Sequence, residues 1–362
     1  MTRRRWILLN PGPVNLSPAV REALLGDDLC HREPEFARLQ ARVCQRLLDV
    51  YGLTAGVWSA VPLCGSGTAA VEAMLAAVPT EGRVLVVENG VYGERMGRIC
   101  AVHGIAHETL HLEWGEEIPL EAVERRLAES AFTHLAVVHH ETTTGRLNPL
   151  DALDALCARS GVALLVDAVS SFGAEALSFD ALAACAGTAN KCLHGVAGLS
   201  FVLARRGFLA QAPRPPRSVY LDLAAYARAL AAGDTPFTMP PQLHHALDAA
   251  LEELEREGGW SARHARYRTL AARVAQGLAE LGIEPLLAEN ESSVVLRAYR
   301  LPRGLSYAHL HDALKAEGFV IYAGQGGLAQ RIFRISTMGE LTLEDMDRLI
   351  DAFRRILPRA VR

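Results

Sequence analysis

The chain has 362 residues, half of them hydrophobic and 22% charged, with a formal net charge of −4. That balance suits one large or two packed globular domains and excludes a strongly basic nucleic-acid surface. No run approaches the ~20 apolar residues of a membrane span and no signal-peptide stretch opens the chain, so a cytoplasmic protein is expected.

The basic triplet at 3–5 reads as a solvated end. Seven scattered cysteines never form a CxxC pair, which argues against a disulfide framework or a zinc site and for small buried hydrophobes. The doublets His139–His140 and His244–His245 lack cysteine or carboxylate neighbours at ligand spacing, and no metal is expected.

In chain order, "EFARLQARVCQRLLDVYG" puts Phe36, Leu39, Val43 and Leu47 on one helical face. "VLVVE" (84–88), "LAVVH" (135–139), "ALLVD" (163–167) and "LSFVLA" (199–204) read as strands buried on both faces. "NPLDALDALCARSG" predicts a helix with Asn148 as N-cap, Pro149 as first helical residue and Gly161 as stop. Alternation of this kind implies a mainly parallel sheet flanked by helices, an α/β fold, whose ligands sit at the carboxyl ends of strands. "QAPRPPRS" (211–218) reads as a loop. From Gln242 a long helical stretch runs to about residue 282, broken near Gly258–Gly259. Beyond it, strands in "SSVVLRAYRL", "FVIYAG" and "IFRIST", with helices at 305–317 and 343–356, predict a smaller α+β domain over 259–362. The expected division is therefore 1–15, 16–258 and 259–362.

Three features carry chemistry. Gly65, Ser66, Gly67 and Thr68 precede a helix of small residues; its free N–H groups and positive dipole end make either a phosphate cup or simply a hydroxyl-capped helix. Asp167 ends an apolar strand, as a loop carboxylate or as the partner of a heteroaromatic ring nitrogen. Lys191, among small residues in "GTANKCLHGVAGLS", can be partly desolvated and so become a better amine nucleophile, although an isolated lysine is ordinarily exposed. Together they match what pyridoxal 5′-phosphate (PLP) requires: a phosphate site, a carboxylate for the ring nitrogen and a lysine for the aldehyde.

The motifs "NPGPVNLSPAV", "HREPEF", "GSGTAAVEAML", "NGVYGERM", "HHETTTGRLNP", "VDAVSSFG", "ANKCLHGVAG" and "FRISTMGE" appear in the order found in the class V branch of the fold-type I PLP-dependent aminotransferases, which the chain resembles over essentially its whole length. The resemblance implies the fold-type I architecture with a smaller C-terminal domain, and an N-terminal segment that packs with that domain and the active site. It makes Lys191 the Schiff-base lysine, Asp167 the ring-nitrogen partner, and Ser66, Gly67 and Thr68 the phosphate cup. Tyr92 would lie against the ring and Thr142 near its phenolic oxygen. Thr238, in "PFTMPP", would reach the phosphate of a neighbouring subunit, so a homodimer with shared sites is implied. Arg334 would hold the acidic group of the substrate by a forked contact, and Gly12 would lie in the substrate site. Within the branch, "ETTTG", "SSFG" and "FRI..MGE" are most similar to the 2-aminoethylphosphonate–pyruvate transaminases, while "NPGPVN" and "HREPEF" also resemble the alanine/serine–glyoxylate enzymes. An amine donor and a 2-oxo acid are the implied partners. The chain departs from the pattern at Asn15, His194 and 239–245. A cysteine desulfurase is not expected, because no cysteine follows Cys192. A DNA-binding regulator is not expected either, because the first motif begins at residue 10.

Overall fold

The computed structural model describes residues 5–357; Arg3 and Arg4 of the basic triplet lie outside them. A seven-stranded sheet runs in the order Trp58–Cys64, Leu199–Arg205, Leu182–Thr188, Ala163–Asp167, His134–Val138, Arg83–Glu88, Ala106–His111. Leu199–Arg205 is antiparallel to both of its neighbours, and the remaining pairs are parallel. With helices flanking the sheet, this is the expected α/β architecture. The four apolar runs all became strands of it, and their central residues are buried.

Three sheet strands were not legible in the sequence, each for its own reason. Trp58–Cys64 contains Pro62, which the sheet tolerates because this is an edge strand. Ala106–His111 forms the other edge, is largely polar and has no buried residue. Leu182–Thr188 is built of small residues with little strand preference. The packing explains the small residues: a Cβ on Gly187 would lie 2.4 Å from Cζ of Phe201 on the adjacent strand.

The helix Pro34–Asp49 buries Phe36, Leu39, Val43 and Leu47 as its periodicity predicts. The cap of the helix Leu150–Ser160 is corrected. Pro149, not Asn148, occupies the N-cap position, and Gly161 closes the helix at φ 65°. Asn148 is engaged elsewhere: its Nδ2 donates to the Val138 carbonyl at 2.8 Å and its Oδ1 accepts from Asn89 Nδ2 at 2.8 Å. The cysteine reading also needs correction, since Cys30 is exposed and Cys44 and Cys64 are half-buried; all seven are free thiols.

The proline-rich loop follows a short helix, Arg206–Ala210, rather than a strand directly. Gly258, at φ 106°, separates the helices Pro241–Glu257 and Gly259–Ala279. Beyond them an antiparallel sheet of Leu296–Arg300, Ile332–Ser336 and Tyr322–Ala323 forms. The "FVIYAG" run divides at Ile321, because Phe319–Val320 pairs instead with Ile7–Leu8 near the N-terminus. The Ser336 N–H donates to the Leu9 carbonyl at 2.8 Å, tying the same early segment to the C-terminal sheet. One apolar cluster surrounds the large sheet; another joins Ile7 and Leu9 to Val274, Phe333 and Phe353. Among the described residues no helix is long and apolar enough to cross a membrane.

Candidate active site

Asp167 ends its strand and is only 6% exposed. Its Oδ1 accepts from the Val169 N–H at 2.9 Å, which turns the chain toward Ser170. Burial pushes the carboxyl's pKa up, while the Val169 N–H, Lys191 and Arg95 pull it back. Lys191 lies in the turn between Leu182–Thr188 and Leu199–Arg205, and its Nζ donates to Ser170 Oγ at 3.0 Å. Burial lowers the lysine's pKa, Asp167 opposes that shift, and Arg334 adds to it. An amine less protonated than an ordinary lysine, beside a buried carboxylate, is equipped to attack a carbonyl and then carry a proton.

The N-terminal segment lies directly on this lysine. Gly12 adopts φ +109°, and a Cβ there would stand 3.3 Å from Lys191 Cγ and 3.2 Å from the Asn190 carbonyl. Both the backbone angle and the tight approach favour glycine.

The helix Gly67–Ala76 begins beside the turn that follows Asp167, with a hypothetical Gly67 Cβ 2.6 Å from Val169 Cγ1. Ser66 is the N-cap residue but its exposed hydroxyl makes no capping bond, so the capped-helix alternative for this loop does not hold. Thr68 Oγ1 accepts from Arg95 Nη1 at 3.1 Å. An open helix N-terminus, two hydroxyls and a guanidinium together can hold a phosphate. Arg95 was not anticipated, although its spacing three residues after Tyr92 places both on one face of the helix Val91–Val102. Its Cζ lies 4.7 Å above the Tyr92 ring. Tyr92 is in this helix's first turn.

The "ETTTG" turn supplies the opposite wall. Thr142 is buried and its Oγ1 has no hydrogen-bond partner. Its carbonyl accepts from Arg334 Nη1 at 2.8 Å. Arg334 is fully buried. Its Nε donates to the Ala323 carbonyl at 2.8 Å, and Nη1 also lies 3.4 Å from Gln325 Oε1. Nη2 is left without a partner. Burial disfavours the guanidinium's charge, which Tyr92, Tyr322 and Glu141 help to retain. A buried guanidinium nitrogen with both hydrogens free calls for an anion.

The residues therefore fit PLP on the structure's own terms: a free threonine hydroxyl, a buried carboxylate, a desolvated amine and an open helix terminus. Glu141, likewise not singled out from the sequence, is fully buried beside them.

His140 Nδ1 donates to the Ser170 carbonyl at 3.1 Å, and burial pushes the pKa of His139 and of His140 down to about 4. His194 is buried at φ 62°, where its Nε2 accepts from the Gly339 N–H at 2.9 Å and meets the Tyr267 hydroxyl. These contacts occupy it as a brace between segments. Asn15 acts similarly, accepting from the Leu8 N–H and donating to the Trp6 carbonyl, each at 2.7 Å. Thr238 is exposed and shares no hydrogen bond with the residues above.

The family model described as Aminotransferase class-V matches residues 64–349. A 2-aminoethylphosphonate–pyruvate transaminase of Aeromonas hydrophila is 40% identical over 352 residues, covering 93% of this chain and 91% of that one. Another protein of that name, from Syntrophobacter fumaroxidans, is 38% identical and covers 98% and 97%. Among solved structures, the alanine–glyoxylate aminotransferase of a Nostoc species superposes with a TM-score of 0.91 at 27% identity, covering 99% and 97%. The pyridoxamine–pyruvate aminotransferase of Mesorhizobium loti gives 0.89 at 27%, covering 98% and 93%.

Proposed function

The chain belongs to the class V aminotransferases, PLP-dependent enzymes of fold type I, and from that premise we propose that it moves the amino group of 2-aminoethylphosphonate to pyruvate. The products are phosphonoacetaldehyde and L-alanine, formed in two half-reactions that use one pocket in turn. The observation that carries this reading is the end-to-end likeness to relatives bearing that name. The alternative, alanine or serine with glyoxylate, has support from structural neighbours only at the level of the family.

When bound, PLP supplies an aldehyde that joins amines reversibly and a ring that accepts electrons once its nitrogen is protonated. The roles proposed for the protein are those the resemblance implies, and the positions of its own atoms support them. Asp167 holds a proton at the ring nitrogen, since a buried carboxylate favours a cation beside it. Lys191 Nζ would hold the aldehyde and, as a free amine, would take a proton from the amine-bearing carbon of the donor and return it within the pocket. Ser66, Gly67 and Thr68 would hold the phosphate, the partnerless Thr142 hydroxyl would serve the phenolic oxygen, and Tyr92 would lie against the ring. Arg334 turns Nη2 toward the phosphonate of the donor and then the carboxylate of the acceptor. Gly12 lets the N-terminal segment close against Lys191 in the substrate site.

The reading includes a cytoplasmic homodimer in which Thr238 meets the partner's phosphate, with a large domain of 16–258 and a small one of 259–362. The exposure of Thr238 supports that role. An amino-donor screen with pyruvate and with glyoxylate tests the reaction. 2-Aminoethylphosphonate with pyruvate should outpace every other pair; faster conversion of serine or alanine with glyoxylate would overturn it. Sedimentation showing an active, PLP-saturated monomer would remove the role of Thr238.

A further inference from the structure

The helix that carries Tyr92 and Arg95 begins at Gly90, which has no side chain with which to cap it. Its first N–H groups are met from another part of the chain. Val91 N donates to Thr143 Oγ1 at 3.1 Å, while Tyr92 N and Gly93 N donate to Glu141 Oε2 at 3.1 and 3.4 Å. The other carboxyl oxygen, Oε1, accepts from the Thr143 N–H at 3.1 Å and from its hydroxyl at 2.6 Å. A carboxylate at a helix N-terminus meets both the orphan donors and the positive end of the dipole. The two segments are fitted closely, since a Cβ on Gly90 would lie 2.3 Å from both Cγ and Cδ of Glu141.

We infer that Glu141 is a positioning residue that sets the helix of Tyr92 and Arg95 against the cofactor. Its oxygens are occupied by four donors, so it acts through the helix rather than on reacting atoms. The helix fixes Tyr92 and Arg95 together, and Arg95 passes that placement on to Thr68 in the phosphate loop. The same turn aims Thr142, whose carbonyl holds Arg334. Thr143 Oγ1 and Arg334 Nη1 each lie 3.4 Å from Gln325 Oε1, which links the turn to the anion site a second time. One buried carboxylate thus registers the ring face, the phosphate loop and the anion-holding arginine. The inference rests on the reading that PLP lies against Tyr92.

The test titrates apoprotein with PLP and records visible circular dichroism of the loaded protein, which reports the asymmetry of the ring's surroundings. Glu141→Gln places an amide NH₂ against N–H donors and keeps only one accepting oxygen. It should weaken PLP binding about two- to thirty-fold, the size of a lost helix cap, and reduce the dichroic band. Thr143→Val, a milder change, should shift both readings in the same direction. In Glu141→Gln combined with Tyr92→Ala, the loss of PLP affinity should be smaller than the product of the two single losses, because part of the effect of Glu141 passes through Tyr92 and the rest through Arg95 and Thr142. Two outcomes overturn the inference: losses that multiply in the double variant, or a Glu141→Gln protein that melts lower but binds PLP with unchanged affinity and dichroism. If Tyr92→Ala itself leaves PLP binding unchanged, the placement of the ring against Tyr92 falls, and the inference falls with it.

Discussion

Arg334 donates Nη1 to the carbonyl of Thr142 at 2.8 Å, while its own Nη2 and the Thr142 hydroxyl, both buried, are left without partners. The bond joins a strand of the C-terminal sheet to the turn after His140. It commits one edge of the guanidinium to holding the protein together, and the Ala323 carbonyl on Nε commits another. An anion held as proposed would therefore meet chiefly Nη2, with Nη1 shared with Gln325.

Arg334→Ala should cost about 2–5 kcal/mol of substrate binding, since truncation leaves a desolvated anion unpaired. The loss should appear with both amine donor and oxo acid in single half-reactions. Arg334→Lys should rescue little, because an ammonium on a flexible stem cannot serve the Ala323 and Thr142 carbonyls while facing the substrate. Unchanged kinetics with both substrates in the alanine variant would place the anion elsewhere.

Reduction of the loaded protein with borohydride should bleach its visible band and fix PLP to Lys191, as peptide mapping would show. Lys191→Ala should bind PLP without turning over. Asp167→Asn should lower turnover ~100-fold or more by weakening the proton held at the ring nitrogen. Its fold should persist, since the residues before it in the strand are apolar and buried. A label on another lysine, or near-normal turnover in the asparagine variant, would contradict these roles.

Lys191 and Asp167 were legible because each interrupts an apolar or small-residue context where a charge is conspicuous. Arg334 was legible only through its motif, since a lone arginine in a strand reads as exposed and its burial depends on carbonyls from two other segments. Glu141 stood inside the "ETTTG" motif, but nothing in the sequence singled it out. It sits in a polar run without periodicity, and its partners lie 49 and 48 residues earlier in the chain. His194 stood out as a departure, but its partners on the helix Gly259–Ala279 and the loop at Gly339 exist only in the folded chain.

Gly12→Ala should be far more damaging than a methyl group on a loop usually is. The substitution strains φ +109° and drives a Cβ to 3.3 Å from Lys191 Cγ. Displacing the N-terminal segment, or the lysine, should raise KM and lower turnover while leaving the melting temperature within a few degrees, a cost of about 1 kcal/mol. A variant with wild-type kinetics would show that the segment does not constrain the site.

His194 should make the protein acid-sensitive. Burial, then the charges of Arg263 and Arg266, holds its pKa well below the ordinary value, so the folded protein keeps the ring neutral, accepting from Gly339. In the unfolded chain the same ring binds a proton near pH 6.5. Unfolding therefore takes up protons below that pH: the stabilisation is present above about 6.5 and declines as the medium acidifies. His134, His139, His140 and His244, each held at about 4 by burial, act in the same direction. At pH 8, His194→Gln should melt lower than the parent, because the amide loses the ring stacking on Tyr267 and offers the Gly339 N–H a less well placed acceptor, at a cost of about 1–3 kcal/mol. Glutamine takes up no proton on unfolding, so the difference between the two proteins should narrow as pH falls from 7 to 5. Melting curves that fall in parallel across that range would mean that His194 does not carry this proton.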